Sequence, residues 1–297
     1  MNGGSEPNLI DSFGEFISAW DFSSPPAVLF LLLAAAYTIG TARIALRSDT
    51  HTGFWSKVGA SVGAFALLAI ALAGPLDYYS GDLFAAHMAQ HIVIAMVAAP
   101  LLLMGRPMPA YIWALPRPLR IGAGSALTGS GLIVRVLTAL TRPQVALPLF
   151  IGTLYVWHIP QAYNGSLENE WLHLFMHFTM FVTAILFWWP IIGPPPIRTQ
   201  LNYPRRIVYL LLAVTPTALL AAIITLTKTV LYDFYLNAPG HFMWSTMEDQ
   251  RVGGLFMWIP GNFVYLLTLT VLFFKWFNEE ERKSSRSAQR RPPPHKP

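Results

Sequence analysis

The chain of 297 residues contains no cysteine. That excludes disulfides and every thiolate metal site. Anything bound must be held by imidazole, thioether, carboxylate or backbone. Charge is scarce as well: 12% of residues are charged against 54% hydrophobic, where a soluble domain carries about 25% charged residues. An ordinary water-soluble domain is therefore excluded. No apolar segment carries a His-Glu-x-x-His pattern, and with so few carboxylates a zinc-hydrolase reading finds no support.

What is present is a series of long apolar runs. Seven segments are of roughly the length that a bilayer core requires, at 25–46, 56–76, 84–105, 143–160, 171–192, 206–228 and 252–275. The reading is an all-α polytopic membrane protein, a bundle of seven transmembrane helices occupying residues 25–277. Residues 1–24 are polar and acidic; they lack the basic n-region of a signal peptide and read as an extracytoplasmic tail. Residues 278–297 are charged and rich in Ser, Arg and Pro, and read as a disordered basic cytoplasmic tail. The connection 106–142 is punctuated by proline and glycine. Its apolar second half is short and interrupted by Arg135, which suits an interfacial segment better than a span.

The loops set the orientation. Of the 20 basic residues, 18 fall on one set of alternating connections, and only Lys228 and Arg251 fall on the other. Basic residues accumulate on the cytoplasmic side, so the N-terminus is expected outside and the C-terminus in the cytoplasm. The net charge of +5 is then a topology signal. Attraction to anionic lipid accounts for it, and no nucleic-acid partner is expected.

That topology gathers the histidines. His87 and His91 are one turn apart at the start of the third span, His173 and His177 repeat the spacing at the start of the fifth, and His158 closes the fourth. An (i, i+4) pair presents both rings on one helix face, and all five lie at the expected outer end. His241 lies near the same face, whereas His51 and His295 lie inside. Ionisable side chains within spans are costly and mark functional sites, so these five are candidate metal ligands. Imidazole with thioether suits copper; imidazole alone also suits zinc or haem iron. Met176 shares a stripe with His173, His177 and Met180, and Gln90 lies between the first pair; both are candidate auxiliary groups. Asp77 and Asp249 lie at the same face, where either could orient an imidazole through its second nitrogen. Asp249 could instead cap its own helix. Gly253 and Gly254 suit close helix packing. Two other roles stay open for the histidines: haem ligation, which would make an electron carrier or haem handler, and plain interhelical hydrogen bonding in a structural scaffold.

Three motifs carry a family resemblance. The first is His87-Met88-Ala89-Gln90-His91 running on to Pro100-Leu101-Leu102-Leu103-Met104-Gly105-Arg106-Pro107. The second is Trp157-His158-Ile159-Pro160, then His173 and His177, then Phe187-Trp188-Trp189-Pro190. The third is Glu248-Asp249-Gln250-Arg251-Val252-Gly253-Gly254 with Met257-Trp258-Ile259-Pro260-Gly261. In this order they resemble the CtaG family of caa3-type cytochrome c oxidase assembly factors over nearly all of residues 60–277. Met176 departs from the pattern, standing where an acidic residue is often found. The resemblance implies a non-enzymatic protein of the bacterial plasma membrane that works on cytochrome c oxidase subunits. It further implies copper delivery, most often discussed for the catalytic haem-copper centre.

Overall fold

A computed structural model describes residues 18–47, 52–127, 131–195, 197, 201–238 and 244–289. His51, His241, Met243 and His295 lie outside the described residues. The described chain is helical, with no strand. In chain order the helices are α1 (Pro25–Ala45), α2 (Thr52–Leu72), the short α3 (Pro75–Ser80) and α4 (Phe84–Gly105). Three short helices follow: α5 (Met108–Ala114), α6 (Arg117–Leu127) and α7 (Leu132–Leu140). The remainder are α8 (Pro143–Trp157), α9 (Pro160–Glu168), α10 (Glu170–Ile192), α11 (Tyr203–Leu226) and α12 (Thr246–Gln289).

Six stretches are long and apolar enough to cross a membrane: α1, α2 with α3, α4, α10, α11 and α12. Each overlaps an expected span. The expected fourth span, 143–160, is not a straight crossing helix. It is the 15-residue α8, followed after a 72° bend by α9. Pro160 causes the break: the residue before a proline is driven out of the α region, and Ile159 is extended at φ −65°, ψ 127°. The interfacial stretch 106–142 is more helical than its prolines and glycines suggested, since α5, α6 and α7 fill most of it. Arg43 secures α5 by donating to the carbonyls of Trp113, Ala114 and Leu115, and the Arg120 guanidinium lies 4.4 Å from the Trp113 ring centre.

The tail expected to be disordered from residue 278 is helical as far as Gln289, the last residue described. Its Glu279-Glu280-Glu281-Arg282-Lys283 run consists of good helix formers. Lys283 pairs with Glu279 at 2.8 Å and Glu280 at 2.9 Å, one turn back on the same face. Such exposed pairs are individually weak, but they extend a helix that is already nucleated.

The outward faces are apolar. On α12 the exposed side chains include Phe263, Leu266, Leu267, Phe273 and Phe274, a band that water would not tolerate and lipid would. Between helices the packing is aromatic. Phe187 of α10 stacks on Phe150 of α8 at 4.6 Å and on Tyr209 of α11 at 5.3 Å. Within lipid such van der Waals contact, not water exclusion, draws helices together.

The middle of α4 widens into a π-turn over Val93–Ala98. In the i→i−5 register, position 100 would donate to the Ala95 carbonyl, but Pro100 has no N–H. The indole Nε1–H of Trp188 supplies the missing donor at 2.9 Å, buried. Single π-turns in α-helices occur often at functional sites, and this one begins two residues beyond His91.

The cysteine-free chain allows clean labelling. Glu168 ends α9 and is exposed, as is Ser285 on α12. An impermeant thiol reagent applied to intact cells is expected to modify Glu168→Cys and leave Ser285→Cys untouched until the membrane is opened. The reverse pattern would invert the orientation read from the loop charges.

Candidate metal centre

Local sequence rules place the histidines. Asn169 caps α10 by accepting from Leu172 N–H at 3.1 Å, which starts the helix so that His173 and His177 occupy its first two turns. His158 is the C-cap residue of α8, at φ −95°, ψ 1°. The start of α4 has no such local cap. Leu83 stands at its N-cap position and offers no acceptor for the orphan N–H groups of a first turn. Asp249 of α12 does: Oδ2 accepts from Phe84 N–H at 2.7 Å and Oδ1 from Ala85 N–H at 3.0 Å. A carboxylate also suits the positive end of the helix dipole. The close approach of α12 needs Gly253 and Gly254, where a Cβ would overlap the Phe84 ring and Thr225 respectively.

Five imidazoles converge as a result. Ring centres are 4.4 Å apart for His87–His91 and His173–His177, 5.2 Å for His87–His173 and 5.3 Å for His91–His177. His158 is the outlying member, 6.1 Å from His91. His87, His91 and His177 each offer a nitrogen within 4.8 Å of the others, and all three are buried.

Hydrogen bonding decides where the lone pairs are. The His158 Nδ1 lies 2.6 Å from the Leu154 carbonyl. A carbonyl only accepts, so Nδ1 carries the proton and Nε2 carries a lone pair. That Nε2 is buried with no partner. Tyr235 Oη donates to the Ser80 carbonyl at 2.9 Å and lies 3.3 Å from His87 Nδ1. Having given its one proton to Ser80, it can only accept from His87, which turns the lone pair of His87 Nε2 inward. Burial pushes the Tyr235 and Tyr232 phenols well above their ordinary range, so both keep their protons. His87 Nε2 and His91 Nε2 are 2.9 Å apart, a distance that requires a proton between two lone pairs. His91 Nδ1, His173 Nε2 and His177 Nε2 are buried without partners. Buried polar atoms are normally satisfied, and a group of unpartnered imidazole nitrogens is the donor chemistry a borderline or soft metal ion takes up.

The expected auxiliary residues have other partners. Gln90 donates to the Ala71 carbonyl at 2.6 Å and to Asp77 Oδ1 at 2.9 Å, tying α4 to α2 and α3. Neither Asp77 nor Asp249 meets an imidazole: the first holds Gln90 and the second caps α4. The Ser166 hydroxyl donates to the Tyr163 carbonyl at 2.6 Å, and its oxygen lies 3.5 Å from the Met176 sulfur. Three tyrosines that the sequence did not single out seal the site. Tyr163, Tyr232 and Tyr235 are buried around Phe84, with Tyr163–Tyr232 ring centres 4.3 Å apart and Phe84–Tyr232 stacked at 4.7 Å. Gln250 holds the loop that carries two of them, accepting from Leu231 N–H at 2.6 Å and donating to the Thr229 carbonyl at 3.2 Å.

A family model described as cytochrome c oxidase caa3 assembly factor matches residues 35–279. Uncharacterized proteins of Mycobacterium bovis and Mycobacterium tuberculosis are each 30% identical over 277 residues, which is 91% of this chain and 41% of the relative. One of Mycobacterium leprae is 27% identical over 290 residues, 94% of this chain and 42% of the relative. The chain thus spans about two fifths of the length of the curated relatives it matches. No solved structure matches.

The Asp249 cap carries a stability prediction. Asp249→Ala strands two N–H groups away from water, at a cost of about 1–3 kcal/mol each. The thermal midpoint of the detergent-purified protein should fall, and Asp249→Asn, which keeps one acceptor oxygen, should recover part of the loss. An unchanged midpoint in the alanine variant would remove the cap from the account of α4.

Proposed function

The chain belongs to the cytochrome c oxidase caa3 assembly factor family, and we propose that within that task it handles copper for the oxidase. His87, His91 and His177 hold the ion, and His158 and His173 stand beside them as exchange ligands. Copper is cargo here, not a reactant, so the protein is not an enzyme. The same reading puts it in a bacterial plasma membrane, with Pro143–Trp157 as the seventh crossing, the N-terminus outside and the histidines towards the outer face. Its partners are the oxidase subunits, reached sideways through the bilayer.

The observation that carries this reading is the set of buried, unpartnered imidazole nitrogens supplied by three separate helices. It favours copper handling over a scaffold held by histidine hydrogen bonds. Among the described residues the His87–His91 pair is the sole imidazole–imidazole bond, and both belong to α4. Among those residues no imidazole bonds to an imidazole on another helix, and His87 to Tyr235 is the one imidazole side-chain bond that joins two elements, so most of the ring nitrogens are left free of the interhelical bonds a scaffold role would use. Haem is disfavoured by space. The cavity beside His91 and His158 has a volume of about 50 Å³, whereas pockets for ligands of that class run to about 300 Å³ or more.

Two measurements test the proposal. In cells lacking the protein, the oxidase subunits should accumulate with their haems while catalytic copper and activity are low. His87→Ala and His177→Ala should reproduce that defect with the variant protein present at normal level. Variants that support a fully copper-loaded oxidase would sink delivery and leave scaffolding. In vitro, Tyr235→Phe should weaken copper binding by about 10-fold, the scale typical of losing a group that orients a ligand, as read by chelator competition. Equal affinity would mean that the hydroxyl does not set the His87 tautomer.

A further inference from the structure

A small cavity lies against the histidine cluster, away from its tyrosine cover. Its lining includes Met88, Met96, Met180 and Met257, together with His91 and His158. Four of the ten methionines in the chain therefore come from three different helices to one chamber. Methionines that merely pack use their flexible side chains to fill gaps, and close-packed interiors leave few voids of this size. Here they surround a space of about 50 Å³. Met88 is 0% exposed and Met180 3%, so these two methionines reach the space from the protein interior. His158, 5% exposed, lines it, and its Nε2 lone pair has no partner.

We propose that this chamber is a second station for copper, where Cu(I) is held by thioether sulfurs drawn from Met88, Met96, Met180 and Met257, no more than its low coordination number takes at once, with His158 as the nitrogen ligand. The proposal rests on the copper reading of the histidine cluster and extends it. Thioethers select soft cations, Cu(I) above all among biological ions, and they carry no charge of their own. His91 belongs to both places: it is one of the three clustered ligands and it lines the chamber. An ion moving inward can keep His91 while exchanging His87 and His177 for methionine sulfur, so it is never without a ligand. The step is ligand exchange alone, and the ion enters and leaves as Cu(I).

The test uses the full chain in lipid nanodiscs, loaded with Cu(I) under reducing conditions. Its readouts are copper stoichiometry and X-ray absorption at the copper edge. The wild type should show a sulfur shell beside the nitrogen shell. Joint replacement of Met88, Met96, Met180 and Met257 by the near-isosteric Leu should abolish the sulfur shell and lose one copper equivalent. Met104→Leu with Met108→Leu, outside the chamber, should change neither readout. His87→Ala with His177→Ala should lose the nitrogen-bound equivalent and keep the sulfur-bound one. A wild-type spectrum with nitrogen scatterers alone overturns the chamber and leaves the histidine cluster standing; this readout needs no variant to fold. A wild type with sulfur-bound copper and no nitrogen-only equivalent keeps the chamber and overturns the cluster. Undiminished stoichiometry and sulfur signal in the four-methionine variant also overturns it.

Discussion

The carboxylate of Asp249 at the first turn of α4 is the constraint on which the site depends. A helix that starts inside the protein must find acceptors for its leading N–H groups, and Leu83 cannot provide one. Because the acceptor comes from α12, the height and rotation of α4 are fixed relative to α12, not to its own preceding loop. His87 and His91 ride on the two turns that follow. The next residue, Gln250, pins the loop that brings Tyr232 and Tyr235 over the rings. Gly253 and Gly254, one turn on, leave room for Phe84 and Thr225. One short stretch of α12 therefore sets the position of the histidine pair, the cover above it and the spacing of the helices around it.

The same stretch shows what a sequence reveals and what it conceals. The six long helices, the (i, i+4) histidine pairs and their common end of the bundle were legible, because hydropathy and helical period are local properties. The role of Asp249 was not. A carboxylate near a helix start suggests a cap for that helix, and nothing local says that it caps another helix well over a hundred residues away in the chain. Asp77 and Gln90 follow the same pattern: both sit at the histidine end of the bundle, yet they bond to each other, and Gln90 to the Ala71 carbonyl, with no imidazole between them. Tyr163, Tyr232 and Tyr235 went unnoticed because a tyrosine in a short connection is unremarkable until burial is known. The tail beyond residue 278 was read from composition as disordered, whereas its Glu-rich run simply continues the helix before it.

The second signature motif acquires a physical meaning in the same way. Pro160 ends α8 and so leaves His158 at a helix end, where its Nδ1–H folds back on the Leu154 carbonyl. Trp188, about three turns of helix beyond His177, contributes through its N–H to the Ala95 carbonyl and not through any ligand. The π-turn that this bond supports lies between the histidine pair and Pro100. It adds a residue to the register of α4 and turns Met96, along with Met88 above it, towards the same chamber. Signature residues outside the histidine cluster thus position the histidines within it.

Charge selects among ions that imidazole and thioether could both hold. The self-energy of an ion moved from water into a low-dielectric interior grows with the square of its charge, and it is large unless opposite charge accompanies the ion. Among the described residues no carboxylate meets an imidazole of the cluster: Asp77 bonds to Gln90, and Asp249 to the α4 backbone. At position 176 a methionine extends the same neutrality. A divalent cation would leave its whole charge uncompensated among neutral donors, whereas a monovalent ion halves the charge and reduces the penalty further. Cu(I) also tolerates low coordination without water, which Mg²⁺ and Ca²⁺ do not. The lack of cysteine and of nearby carboxylate therefore acts in one direction: it leaves an uncharged set of nitrogen and sulfur donors whose electrostatics suit a soft, singly charged metal better than a hard divalent one.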